Sequence, residues 1–146
     1  MEITLFDSNS LPTEAKKTEI TTFLFNQLEQ YGDPYDHILM AIDYSLDSNE
    51  FKGGFVLEGR HEGEIVGVVV VNNTGMMDYI PENILVYIAT HEKIRGKGFG
   101  KLLMKKAIES AKGNIALHVE PDNPAAHLYR KLGFTSKYLE MRLLKA

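Results

Sequence analysis

The sequence predicts an α/β fold (α+β in some classification schemes): a mixed, mostly antiparallel central sheet with helices on both faces. Three observations carry this prediction. Along the 146 residues the apolar periodicity changes in the order strand, two helices, three strands, helix, strand, helix, strand. The run Val68-Val69-Val70-Val71 has no polar alternation, so both faces of that strand are covered. A helical pattern also separates the apolar run that starts at Ile84 from the next strand, and the usual right-handed crossover makes those two strands parallel neighbours.

Each element has its own local reason. Glu2 to Phe6 alternates polar and apolar and reads as a short half-buried strand. Ser10 or Thr13 can cap a helix with Pro12 near its first turn, whose apolar face is Ile20, Phe23, Leu24 and Leu28 and which Gly32 ends. Asp33-Pro34 starts a second helix with Ile38, Leu39, Ile42 and Leu46 inward, running out at Asp47-Ser48-Asn49. Phe55 to Gly59 and Glu64 to Val71 form a hairpin turning at His61-Glu62-Gly63. The loop from Asn72 to Glu82 contains Met76, Met77 and Tyr79, which either line a substrate mouth or anchor the crossing chain. Asn114 to Glu120 reads as a further strand, and Asn123 or Asp122 caps a helix with Pro124 at its first position and Gly133 at its end. Phe134 to Leu144 is apolar enough for one or two closing strands, with a partner in this chain or in a second subunit.

The centre of the chain is Ile84 to Gly100. A β-branched apolar run leads into glycines at alternate positions, Gly96, Gly98 and Gly100, and then into a helix with Phe99, Leu102, Leu103, Ala107, Ile108 and Ala111 at helical spacing. Such a loop leaves backbone N–H groups unpaired at the positive end of a helix dipole, and glycines let an anion approach without meeting a Cβ. A phosphate group belongs there. It is not a nucleotide P-loop, because Gly100-Lys101 is followed by Leu102 and not by Ser or Thr. The dinucleotide fingerprint fails as well, since it needs Gly-x-Gly-x-x-Gly and the spacing is Gly-x-Gly-x-Gly.

What fits is Arg95-x-x-Gly98-x-Gly100, which resembles the GNAT superfamily of N-acetyltransferases, whose Arg/Gln-x-x-Gly-x-Gly/Ala loop holds the diphosphate of acetyl-coenzyme A. A second segment, Asn123-Pro-Ala-Ala126-His-Leu-Tyr129-Arg-Lys-Leu-Gly133-Phe134, is similar to the family's Asn-x-x-Ala-x-x-x-Tyr-x-x-x-Gly-Phe pattern with one residue fewer before the Tyr. The resemblance covers roughly residues 84 to 134 and implies a single N-acetyltransferase domain over 1–146. It further implies acetyl-CoA as co-substrate, with no metal, and a small-molecule or peptide amine as acceptor. Ile88, Ala89 and Thr90 would then meet the pantetheine arm where the central strand splays from its parallel neighbour. Arg95, Gly96, Lys97, Gly98, Phe99, Gly100 and Lys101 would hold the diphosphate, joined by Asn123, Ala126 and Tyr129 on the following helix. Asn123 is a cofactor contact, a helix cap, or both.

By the same resemblance Tyr129 is the catalytic residue. A departing coenzyme A thiolate needs a proton, and a phenol of pKa ~10 can supply one to a thiolate whose conjugate acid is ~8.5. The alternative is a core aromatic on an amphipathic helix. For the general base the candidates are Glu82, Tyr87, His118, Glu120 or water. His118-Val-Glu120 has the His-x-Glu spacing of zinc deaminases but not the two cysteines they need, and the other histidines lack ligand spacing, so no metal site is predicted.

Composition bounds the rest. There is no cysteine, which excludes a disulfide framework, a thiolate zinc site and a cysteine nucleophile. With no membrane-length apolar run, a cytoplasmic protein is expected, as a monomer or homodimer. The net charge of −4 argues against general nucleic-acid binding. The charges are segregated, however. From Thr18 to Phe51 there is no Lys or Arg, while Glu19, Glu29, Asp33, Asp36, Asp43, Asp47 and Glu50 are acidic; from Lys93 to Lys106 there are only cations. The expected activity is acetyl transfer to a primary amine by direct attack, with a cationic acceptor favoured if the acidic run borders the site. The alternatives are a non-catalytic coenzyme A-binding or sensor domain, transfer of a longer acyl chain, and acetylation of a peptide or protein amine.

Overall fold

A computed structural model describes residues 1–145. The elements are β1 (Glu2–Phe6), α1 (Glu14–Leu28), α2 (Tyr35–Leu46), β2 (Gly54–His61), β3 (Glu64–Asn73), β4 (Asn83–Thr90), α3 (Phe99–Ser110), β5 (Ile115–Leu117) and α4 (Ala125–Lys131). Short 3-10 turns at Glu29–Tyr31 and Glu92–Ile94 follow α1 and β4. The five strands lie in sequence order, antiparallel except for the β4–β5 pair. The predicted fold class is the observed one.

Local chemistry explains the boundaries. Thr13 caps α1, its Oγ1 accepting from the Lys16 N–H at 3.1 Å. The β2–β3 hairpin turns on Glu62 and Gly63, both at positive φ (53° and 80°), which suits the twist of the strands it joins. Asn123 Oδ1 accepts from the Ala125 N–H at 2.9 Å and so caps α4. Gly133, at φ 102°, ends that helix, with Phe134 N–H bonded back to Tyr129 O at 3.0 Å.

The sheet is buried on both faces, as the valine run requires. On one face α1 and α2 cover Val56, Val68, Val70, Tyr87 and Ala89 with Ile20, Leu24, Ile38 and Ile42. On the other, α3 and α4 cover Leu57, Val69, Val71 and Leu85 with Leu103, Met104, Ala107 and Tyr129. Each fully buried aliphatic side chain contributes roughly 1.5–3 kcal/mol, so these two clusters fix how the helices sit on the sheet.

Four expectations need correction. The strand expected over Asn114 to Glu120 is only Ile115–Leu117, because its neighbour β4 turns away beyond that point. In α3 the inward positions are Leu103, Met104 and Ala107, while Leu102 and Ile108 are exposed. Met76, Met77 and Tyr79 are exposed in the loop leading to the Asn83 end of β4, anchoring nothing. Among the described residues, no strand forms after α4. Residues 135–145 are irregular and exposed, with Tyr138 81% and Leu139 89% accessible. A closing strand needs a partner edge, and three residues of β5 offer little to pair with.

Candidate active site

The site begins with a defect in the sheet. β4 pairs with β5 only through Asn83, Leu85 and the Ile84 between them, yet it runs on to Thr90 held by β3 alone. Directly past the last paired residue lies a bulge: Val70 opposes Tyr87 and Val71 opposes Leu85, so Val86 has no partner on β3. An extra residue bends a strand and raises its twist, which here carries β4 away from β5. It also puts both Val86 and Tyr87 against the α1/α2 core. From Val86 to Thr90 the β5-facing edge of β4, including Ile88, Ala89 and Thr90, borders a gap.

The other end of the gap is sealed. Asn83 is buried, donating through Nδ2 to Lys112 O at 2.8 Å and Asn114 O at 3.2 Å. Glu82 accepts at Oε1 from Asn114 N–H (2.6 Å) and at Oε2 from Asp78 N–H (3.0 Å). These backbone donors hold its carboxyl below the usual range. Glu82 is thus a clasp at the far end of β4, with both oxygens occupied.

At the open end lies the glycine loop. Gly96 and Gly98 have φ of +83° and +84°, and a Cβ at either would meet no protein atom within 4 Å. Glycine is required there by the left-handed backbone and leaves space above it for a ligand. Gly98 precedes α3, whose first helical bond is Leu102 N–H to Gly98 O at 3.1 Å. The N–H groups of Phe99, Gly100 and Lys101 therefore have no acceptor within the helix. At Gly100 a Cβ would make only ordinary contacts, 3.7 Å from Leu128 and 3.8 Å from Thr90, so neither space nor backbone requires glycine there. Lys97 and Lys101 are exposed and in no ion pair among the described residues. Arg95 donates to Gln27 O at 2.9 Å and Thr90 O at 3.3 Å and pairs with Glu29 at 3.4 Å. Its guanidinium ties the loop to the end of α1.

Tyr129 and Ala126 are buried on α4; Tyr129 faces the α3 side of the sheet, and its ring lies 6.0 Å from that of Phe134. Burial pushes the Tyr129 phenol up to about 12. Its hydroxyl has no hydrogen-bond partner among the described residues, yet no buried polar side-chain atom there is left unpaired. The hydroxyl is therefore the tip that reaches an opening. Tyr87 has the opposite situation. On the α1/α2 side it is buried and donates its hydroxyl to Asp33 Oδ2, and burial together with that carboxylate raises its pKa well above the ordinary phenol value. Tyr87 is a hydrogen-bond donor, not a base, at neutral pH. His118 and Glu120 are exposed on the chain that leaves β5. Asp33 did not stand out in the sequence beyond its place in the acidic run, because the residue that fixes it is 54 positions away.

Two shallow concavities of about 300 and 410 Å³ lie elsewhere, one along β1 and Arg60 and the other between α1 and His91. Neither contains the unpaired strand edge or the glycine loop. The gap is an open trough with bonding groups along it, and those groups rather than enclosed volume make it the candidate site.

The sequence pattern described as the acetyltransferase (GNAT) family matches residues 18–134. None of the curated proteins matches the chain. Among solved structures, the chain is similar to the aminoglycoside antibiotic 6'-N-acetyltransferase AAC(6')-IG from Acinetobacter haemolyticus, with TM-score 0.71 and 18% identity over 100% of this chain and 99% of that one. It is also similar to the aminoglycoside N-acetyltransferase AAC(6')-Iy in complex with CoA (0.67, 16%, covering 99% and 95%). A third is the ribosomal-protein-alanine N-acetyltransferase from Brucella melitensis biovar Abortus 2308 (0.63, 17%, covering 99% and 100%). At these identities the likeness is one of fold.

Proposed function

Because the chain belongs to the acetyltransferase (GNAT) family and is therefore an acyltransferase, we propose that it moves an acetyl group from acetyl-CoA to a primary amine by direct attack. The observation that carries this reading is the bulge at Val86, which frees one edge of β4 beside a glycine loop at a helix N-terminus. The free edge at Ile88, Ala89 and Thr90 can bond an extended amide-bearing arm as a further strand would. Gly96, Gly98 and the N–H groups of Phe99, Gly100 and Lys101 receive a diphosphate, with Lys97 and Lys101 adding positive charge. The ligand's own contribution is a thioester, whose carbonyl carbon accepts the amine.

The chemistry then needs one proton moved onto sulfur. The amine nitrogen bonds the carbonyl carbon, the C–S bond breaks with its electron pair going to sulfur, the Tyr129 hydroxyl supplies the proton, and the phenolate left behind is reprotonated from solvent, which takes up the proton the amine loses. Burial keeps Tyr129 protonated throughout the neutral range and also makes it a weaker acid than a free phenol, so the donor is always present but the transfer to sulfur costs more than it would from an exposed tyrosine. The amine's proton leaves to water, with exposed His118 or Glu120 as side-chain alternatives. The acceptor class favoured is a cationic amine such as a polyamine, an amino sugar or a lysine-like group. Its support is the acidic run on α1 and α2, and the aminoglycosides named for two fold neighbours.

The test is thiol release from acetyl-CoA across a panel of amines and peptides. Turnover on at least one primary amine is expected. Tight coenzyme A binding with no release on any acceptor would favour the sensor reading instead.

A further inference from the structure

The acidic run is less available than its composition suggests. Of its seven carboxylates, Glu19 pairs with Arg60, Glu29 with Arg95, Asp43 with Lys17 and Asp47 with Lys52. Asp33, Asp36 and Glu50 are left without an ion pair among the described residues. Of these, Asp33 alone is fixed by a residue of β4.

Its position is defined by the segment that carries it. The chain between α1 and α2 is fastened around the gap at three places. At one end Gln27 accepts from the Glu92 N–H at 3.0 Å and, through its carbonyl, from Arg95 at 2.9 Å. In the middle Tyr31 donates to Asp122 O at 3.4 Å, on the chain between β5 and α4. At the far end Asp33 accepts from Tyr87, the residue next to the bulge. The segment therefore bridges from β4 to the β5 side, and covers the gap on the face opposite Tyr129. Asp33 itself is exposed, with Oδ2 held by a buried phenol and Oδ1 accepting from no described donor. Arg142 is close enough to feel its charge, but its guanidinium is bonded to Glu140.

Resting on the acyltransferase reading above, we infer that Asp33 is the specificity-determining carboxylate of the acceptor site, holding an ammonium group of a polycationic amine at Oδ1 while Tyr87 fixes it through Oδ2. A second ammonium held there leaves the first amine free to be deprotonated and to reach the thioester from the α1/α2 side. A charge-assisted bond to this exposed carboxylate can select between acceptors because the carboxylate is already tethered and loses little freedom on binding. Tyr87 is a positioning residue in this arrangement.

The experiment is calorimetry of spermidine binding to protein saturated with coenzyme A, in the wild type, Asp33→Asn and Tyr87→Phe. Asp33→Asn is isosteric and exposed, so the fold is kept, which the coenzyme A Kd verifies. Spermidine Kd is expected to rise on the order of 10-fold in Asp33→Asn and by a smaller factor in Tyr87→Phe, with coenzyme A Kd within about twofold. In turnover with acetyl-CoA, the spermidine KM should rise with kcat little changed, the signature of lost ground-state binding. Equal spermidine affinity in wild type and Asp33→Asn, or no spermidine binding to the wild type, would overturn the assignment. Spermidine binding that depends on Asp33 in a protein that does not bind coenzyme A would uphold Asp33 and sink the acyltransferase reading.

Discussion

The two ends of β4 are built from the same strand and behave in opposite ways. At Asn83 every polar group is spoken for: a buried amide, a clasped carboxylate and a parallel neighbour close the sheet. Five residues on, past the bulge at Val86, one edge of the strand has no partner among the described residues and the next loop is left-handed glycine with empty space above it. The lesson is that an opening must be held open. A sheet left to itself would pair β4 with β5 along its length, and the sealed end fixes where the strands meet so that the bulge can drive them apart.

The sharpest way to break this contrast is to fill the open end. Gly98→Val places a branched side chain where only a ligand has room, so coenzyme A binding should fall by on the order of 10³-fold or more. The fold should survive, since no protein atom lies within 4 Å of the new Cβ. The left-handed backbone adds a cost of roughly 1–2 kcal/mol. Calorimetry and thermal unfolding on the same samples separate the two effects.

Tyr129→Phe keeps the ring in its packing and removes only the unpaired hydroxyl. With any amine that supports turnover, kcat should drop by on the order of 10²-fold with cofactor affinity little changed. Normal turnover in a folded variant would make Tyr129 a core aromatic and leave a water as the acid. At the sealed end the expected effect is smaller and of another kind. Asn83→Ala removes a buried donor from two carbonyls, and denaturant unfolding should register a loss of about 1–3 kcal/mol, while coenzyme A affinity changes by only a few-fold.

Much of this was legible in the sequence because its causes are local. Glycine spacing, the Asn123 cap, the valine run and the hairpin turn each express a backbone need within a few residues. The bulge was not legible, because Val86 looks like any strand valine and its lack of a partner depends on the register of β3. The Asp33–Tyr87 bond was hidden by sequence distance alone. The motif drew attention to Arg95, but its partners at Gln27, Glu29 and Thr90 were not legible, because two of them lie more than 60 residues away in sequence. The apolar segment after α4 read as strand by composition, and composition cannot supply the neighbouring edge that a strand needs.

The central claim, that acetyl-CoA lies along the freed edge of β4 and over the glycine loop, is tested most directly by amide hydrogen exchange with and without coenzyme A. The account predicts slowed exchange at Ile88, Ala89, Thr90 and from Gly96 to Lys101, with Ile84, Leu85 and β1 unchanged. Protection that instead fell on the concavity beside Arg60, or that left both ends of β4 alike, would contradict it.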